Sequence, residues 1–249
     1  ALSDAAPVWR RPVITHDGKR LLHTLDAQGL PLPEIAFDTM LAAYTLNPQE
    51  KSYHLSAFAD ADASGVWALR QRQLGEMRAM GVSDLYRDIE LPLLNVLFDM
   101  ERVGFQVDTE VLRQIGERLT ARENELRDGI YAACGAGEFN INSPKQLGEV
   151  LFERLGLKAG RKTTKGFSTD AETLEGLRDD HPVIPLILEY RQVSKLHGTY
   201  IDALIRKVGA DGRIHTFFDQ TGTATGRISS AEPNLQNIPV RTDMGREIR

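Results

Sequence analysis

The sequence predicts an α+β protein built as more than one domain. Apolar residues recur at three- and four-residue spacing over three long stretches, near 83–104, 109–133 and 187–207. The first 82 residues instead form short mixed pieces punctuated by Pro7, Pro12, Pro31, Pro33 and Pro48. The length of 249 residues, with 41% hydrophobic side chains, is enough to bury at least one sizeable core, and two smaller ones fit best.

Taken in order, residues 1 to about 82 read as a small, loop-rich α/β unit. Ser83 then offers an N-cap to one long helix, in which Leu85, Ile89, Leu93, Val96, Leu97 and Met100 form a stripe. A bend is expected near Pro92, and Gly104 follows the helix end. A short extended piece, Phe105 to Val107, leads to Asp108 or Thr109, either of which can cap a second long helix. Its apolar stripe is Leu112, Ile115, Leu119, Leu126, Ile130 and Ala133, while Arg113, Glu117, Glu125 and Asp128 cover the other face. Such a helix, packed on a single partner, suits a protruding arm.

Ser143-Pro144-Lys145-Gln146 combines an N-cap serine, proline at the first helical position and glutamine at the third, predicting a helix to Leu155 before Gly156. Thr169-Asp170-Ala171-Glu172 repeats this capping logic for a shorter helix. Between them Gly160 to Gly166 resembles a phosphate loop only superficially, since no glycine-lysine-hydroxyl run opens a helix. Lys162 and Lys165 there are read equally as solvated charge or as phosphate contacts. A third long helix runs from Ile187 to about Lys207, with Leu188, Val193, Leu196, Ile201, Leu204 and Ile205 toward a core and Arg191 and Lys195 on another face. Asp211-Gly212 makes a turn, and Arg213 to Phe218 alternates as one strand.

Composition narrows the function. No run of about 18 apolar residues occurs and Ala1-Leu2-Ser3-Asp4 lacks a signal-peptide pattern, so neither membrane nor export is expected. One cysteine, Cys134, cannot form an internal disulfide, and six scattered histidines lack zinc-site spacing; a reducing cytosol fits. The net charge of −5 argues against a nucleic-acid binder, yet from Arg191 onward nine Lys/Arg face six Asp/Glu, which puts any phosphate-facing surface in the last third.

That last third contains Thr221-Gly222-Thr223-Ala224-Thr225-Gly226-Arg227-Ile228-Ser229-Ser230 and, shortly after, Pro233-Asn234-Leu235-Gln236-Asn237-Ile238-Pro239-Val240-Arg241. Neither string is apolar enough to be core, and neither holds a carboxylate. A long solvated loop would share this composition. Small residues also let a backbone approach a ligand closely, and arginines, asparagines and a glutamine supply unopposed donors. Donors of that kind suit the minor groove of a duplex, where every correct pair offers acceptors in nearly the same places, so pairing is tested without reading sequence.

These two strings resemble the block that family A DNA polymerases, of the bacterial DNA polymerase I type, place between thumb and palm. Asn140-Ile141-Asn142-Ser143, Gln146-Leu147, Ser168-Thr169, Tyr190-Arg191, Lys195-Leu196, Thr199-Tyr200 and Gln220 fall in the family's order. The resemblance covers residues 83 to 249 strongly and 1 to 82 weakly. It implies a 3′-5′ exonuclease-like domain over 1–82, a remnant of an α/β ribonuclease H-like fold, followed over 83–249 by a mainly helical thumb and the first strand and loop of the palm. It also implies that Arg227 reaches the minor groove at the primer terminus, that Asn234, Gln236 and Asn237 contact the duplex nearby, and that Arg241 meets backbone phosphate or the nascent pair. Asn142, Ser143 and Gln146 would lie on the DNA backbone, as would Lys195 and Tyr200, although His197 and Gly198 stand where relatives often have a second lysine and a serine.

The implied activity is template-directed extension of a primer by a complete enzyme that uses dNTPs and two Mg2+ ions, acting as a monomer in the bacterial cytoplasm at the nucleoid. The family's metal-binding aspartates and nucleotide-binding lysine are not among these 249 residues, so the piece alone is expected to be inactive. Glu34 to Tyr44 resembles part of the exonuclease-type domain, but the position of an active relative's mid-domain metal aspartate falls on Leu21, with Asp17 and Asp26 near it. Asp38 is not a metal ligand in the family, and Asp60 and Asp62 lack the tyrosine of the last exonuclease motif; the domain is expected to be inactive. The competing readings are a DNA-binding module without chemistry, and an exonuclease whose acids lie partly upstream.

Overall fold

The computed structural model describes residues 11–158, 162–163, 166–238 and 243–248. The chain forms two compact units: Ala1–Gln106 with Gly209–Asn237, and Val107–Val208 with Ile238–Arg249.

The first unit opens with two parallel strands, Val13–Thr15 and Ile35–Asp38, joined through the helix Gly18–Asp26. Helices Thr39–Leu46 and Ala63–Met80 come next. Leu22, Ile35, Phe37, Leu41, Met77, Tyr86, Leu94 and Phe98 are buried together, each large aliphatic or aromatic side chain contributing about 1.5–3 kcal/mol by leaving water. The 18-residue helix Ala63–Met80 corrects the expectation of short elements throughout: Pro48 is the last proline before Pro92, so nothing interrupts this helix.

The next helical run also departs from expectation. It is continuous from Ser83 to Val103, but Ser83 is its first helical residue and makes no side-chain cap. Pro92, which lacks an amide hydrogen, comes two residues after a π-helical turn at Tyr86–Glu90. The buried set is the expected stripe displaced by one residue: Tyr86, Leu94, Leu97, Phe98 and Glu101 are inside, whereas Leu85, Ile89, Val96 and Met100 are exposed, Ile89 to 55%. The inward face is decided by polar partners. Tyr86 Oη bonds both the amide and the carbonyl of Asp38, and Glu101 pairs with Lys19 and His23.

The first unit is completed from residues far along the chain. Phe105–Gln106 pairs antiparallel with Arg213–Ile214, and Phe217–Asp219 pairs antiparallel with Ser229–Ala231. The single strand expected over 213–218 is thus two strands with different partners. They divide at His215, whose Nδ1 donates to Glu101 O at 2.8 Å, and at Thr216, whose hydroxyl bonds Ala231 O and Pro233 O.

The second unit is helical. Asp108 caps the 26-residue helix Thr109–Cys134 by accepting from the Glu110 and Val111 amides. Leu112, Ile115, Leu119, Leu126 and Ile130 are buried along it, with Cys134 rather than Ala133 ending the stripe. Against it packs a helical run that begins at Val183, four residues before Ile187, because Pro185 is tolerated in a first turn. The run passes through a π-helical turn, Leu196–Ile201, to Asp202–Lys207. Ile205 at its end is exposed; the π turn takes one extra residue, which rotates the residues beyond it by about 100° relative to an unbroken α-helix. The short helix Ala171–Glu175 is capped by Asp170, not Thr169. Thr169 is buried, and its carbonyl and hydroxyl accept from the Arg191 guanidinium, so Arg191 is half-buried and committed inside the unit.

Candidate functional site

The candidate residues fall in both units. In the first, the strand Phe217–Asp219 leads into the loop that ends at Arg227. The Phe218 amide donates to Glu101 Oε1 at 2.6 Å, and its carbonyl accepts from Lys19 Nζ, which also pairs with Glu101. Gln220 Nε2 donates to the Glu90 carbonyl at 2.8 Å and to Glu90 Oε2 at 2.6 Å. Asp219 Oδ1 then accepts from the amide and hydroxyl of Thr221. A Cβ at Gly222 would stand 2.6 Å from Asp219 Oδ2, so a side chain here would require the Asp219 carboxylate to shift.

Beyond that point the loop is closed by Thr223, whose hydroxyl donates to Arg227 O at 2.7 Å, and by Tyr44 of the helix Thr39–Leu46, whose hydroxyl donates to Thr223 O at 2.8 Å. Gly226 adopts φ of +78° just before Arg227. Arg227 is exposed, and its guanidinium has no partner among the described residues.

The return strand Ser229–Ala231 is part of the segment expected to be loop, and Ser230 is buried. The Leu235 amide donates to Ser230 Oγ at 3.0 Å. Gln236 folds back: its Nε2 donates to Ile228 O at 2.6 Å and its Oε1 accepts from the Ser230 amide at 3.4 Å. Asn234 Oδ1 accepts from the Gln236 amide at 3.0 Å, as in an Asx-turn. Asn234, Gln236 and Asn237 are all exposed, so Asn234 keeps its –NH2 donors outward while Gln236 staples the 228–230 strand to the turn after it. Arg241 lies outside the described residues.

In the second unit, Ser143 caps the helix Pro144–Gly148, which continues as a π-helical turn through Arg154. Ser143 Oγ accepts from the Gln146 amide at 3.4 Å, but the Gln146 side chain reaches the Asn140 amide, three residues before the cap, at 2.7 Å. Asn142 and Gln146 are exposed and Ser143 partly so. Lys195 is exposed at the end of Val183–Lys195, whereas Tyr200 is 7% exposed and sits inside the unit. Lys165 and the side chain of Lys162 fall outside the described residues.

The exonuclease-like region was expected to lack a working metal set. Asp38 is 0% exposed and accepts from the amides of Asp17, Gly18, Met40 and Leu41. Burial pushes its pKa upward, opposed by the Gly18, Leu41 and Met40 amides. Asp17 caps the helix Gly18–Asp26, and Leu21 is half-buried. Among the described residues no three His, Cys, Asp or Glu side chains group as metal ligands, and no helix is long and apolar enough to cross a membrane.

The sequence did not reveal Tyr44, Lys19 and Glu101, which hold the loop and the strand leading into it from 117 to 199 residues away. A weak signal existed for Tyr44, the polar handle in the apolar run Met40-Leu41-Ala42-Ala43-Tyr44.

Residues 109–249 match the family described as DNA polymerase family A. The chain is 38% identical over 267 aligned residues to DNA polymerase I of Bacillus subtilis (strain 168), and 39% identical over 267 to DNA polymerase I of Geobacillus stearothermophilus. Each alignment covers 94% of this chain and 30% of the relative, so the chain spans under a third of their length. Among solved structures it is similar to the POL domain of Pol1 from M. smegmatis in complex with DNA primer-template and dNTP. That likeness has a TM-score of 0.87 and 35% identity, over 98% of this chain and 46% of the other.

Proposed function

The chain belongs to DNA polymerase family A, and from that premise we propose that it is the primer-template-gripping part of a DNA-directed DNA polymerase of the polymerase I type, active in replication and repair. The observation that carries this reading is the exposed Arg227 at the end of a braced, carboxylate-poor loop, followed by the outward donors of Asn234. A minor-groove reader must present donors and no acids, and must hold them in place. The similarity to a polymerase solved with DNA primer-template and dNTP supports the choice of ligand.

In this reading residues 1–82 are the later part of an exonuclease-like domain, and 83–249 are the thumb with the beginning of the palm. The parallel strand pair with its crossover helix supports the former, and the helical second unit supports the thumb. Asn142, Ser143, Gln146 and Lys195 face the DNA backbone, the first three at a helix start whose free amides favour phosphate. Tyr200, being buried, supports Lys195's helix from within. Asn237 and Arg241 complete the duplex contacts, and Gln236 serves chiefly to fix the loop.

The reaction is in-line attack of the primer 3′ hydroxyl on the dNTP α-phosphate, performed by the complete enzyme as a monomer at the bacterial nucleoid. The described residues do not fit the two Mg2+ ions that the reaction uses, since no acidic cluster groups among them; the ions are assigned to other parts of the parent. The exonuclease-like domain is inactive, with Leu21 at the place of an active relative's metal aspartate; magnesium-dependent digestion of single-stranded DNA from the 3′ end by the parent would overturn that.

The central test is Arg227→Ala in the full-length enzyme. Extension at saturating dNTP is expected to slow by about a hundredfold, with primer-template affinity changed far less, because a donor at the terminus positions the reacting end. Unchanged extension kinetics would remove Arg227 from the site.

A further inference from the structure

Residues 222–227 contain two glycines, two threonines and an alanine before the arginine, and none of them is buried. Such a segment has no apolar anchor, and Gly226 sits in the left-handed region that only glycine enters freely. Its order must therefore come from hydrogen bonds. Among the described residues, the side chain that reaches it from elsewhere in the chain is Tyr44, 179 positions from Thr223.

Tyr44 is itself rigidly held. It is 4% exposed, stacks edge-on to Tyr53 at 5.8 Å, and lies on a helix whose first turn is fixed by the buried Asp38 carboxylate. Its hydroxyl donates to Thr223 O at 2.8 Å. The phenol thus anchors Thr223, the residue whose own Oγ1 closes the turn onto Arg227 O.

We propose that Tyr44, in the exonuclease-like region, is a positioning residue for Arg227, clamping the turn that aims it. The idea rests on the reading of Arg227 given above and extends it: a domain without nuclease chemistry acts on polymerisation by fixing one loop. Burial pushes the Tyr44 hydroxyl's pKa up, with Glu90 adding to the effect, so it remains a donor at neutral pH.

The experiment is single-nucleotide incorporation by the full-length enzyme carrying Tyr44→Phe, Arg227→Ala or both, with primer-template Kd and thermal midpoint measured for each. Tyr44→Phe keeps the ring and its packing. It is expected to lower the incorporation rate at saturating dNTP about tenfold while Kd stays within about twofold, and to add nothing in the Arg227→Ala background. A slow Arg227→Ala enzyme beside a normal Tyr44→Phe enzyme overturns the clamp and leaves the reading of Arg227 intact. A normal Arg227→Ala enzyme overturns that reading first. Additive losses, or a parallel fall in rate, Kd and thermal midpoint for Tyr44→Phe, also overturn positioning, since they mark general structural damage.

Discussion

The two units are held together by different chemistry. Of nine buried polar or charged residues among those described, eight belong to the first unit: Lys19, Asp38, Thr39, Gln73, Glu101, Thr216, Gln220 and Ser230. The second unit has only Thr169, and its core is the aliphatic set around Ile130, Leu147, Leu151, Leu174, Val183, Ile184 and Ile187. The difference stems from what each must specify. A helical unit needs only matched apolar stripes. The first unit joins two distant parts of the chain and fixes the path of a loop with almost no apolar content, and directional bonds to named atoms do that where apolar contact cannot.

The sharpest way to break this comparison is Glu101→Ala. Glu101 is 4% exposed and receives Lys19, His23 and the Phe218 amide, so its loss strands a buried ammonium. About 3–5 kcal/mol should be lost, seen by hydrogen exchange as lost protection in residues 11–106 and 209–237 with 109–134 retained. Uniform loss across both units would show that the contrast has no thermodynamic meaning. Next in size is Ile187→Ala, a cavity in the aliphatic core. About 2–4 kcal/mol should go from the second unit, and protection at Phe217–Asp219 should survive.

The smallest effect is pH-dependent. His215 donates to Glu101 O and sits 3.0 Å from Asp211 Oδ2; the carbonyl and then the carboxylate raise its pKa above the ordinary 6.5. Folding therefore gains from the protonated ring. That gain is complete below about pH 6 and fades as pH climbs through the raised value, and solvent weakens it because the ring is 41% exposed. Urea midpoints of the first unit should decline slightly over that window, and His215→Gln should flatten the decline; a slope unchanged by the substitution would exclude His215 as its source.

Much of the second unit could be read from sequence because amphipathic periodicity is local: Asp108 and five buried apolar positions of Thr109–Cys134 stand where the spacing put them. In the helical run before it, periodicity misplaces the buried face by one position, because Glu101 and Tyr86 look like surface residues until Lys19, His23 and Asp38 are seen beside them. Periodicity also assumes an unbroken α-helix, and π-helical turns at Tyr86–Glu90, Glu149–Arg154 and Leu196–Ile201 violate that. For the site, the exposed positions of Arg227, Asn234 and Asn237 were legible from composition. The inward use of the Gln236 amide and the burial of Tyr200 were not, because both depend on neighbours that spacing alone does not identify.

The pairing of Phe105–Gln106 with Arg213–Ile214 has a consequence for the order of assembly. During synthesis the first unit waits for its closing strands until more than a hundred further residues have left the ribosome, and the intervening helices can fold meanwhile. Closing a loop that long as a free coil costs conformational entropy that grows with the logarithm of its length. A folded insert shortens the effective loop, so helix formation in the middle of the chain speeds completion of the unit at its ends.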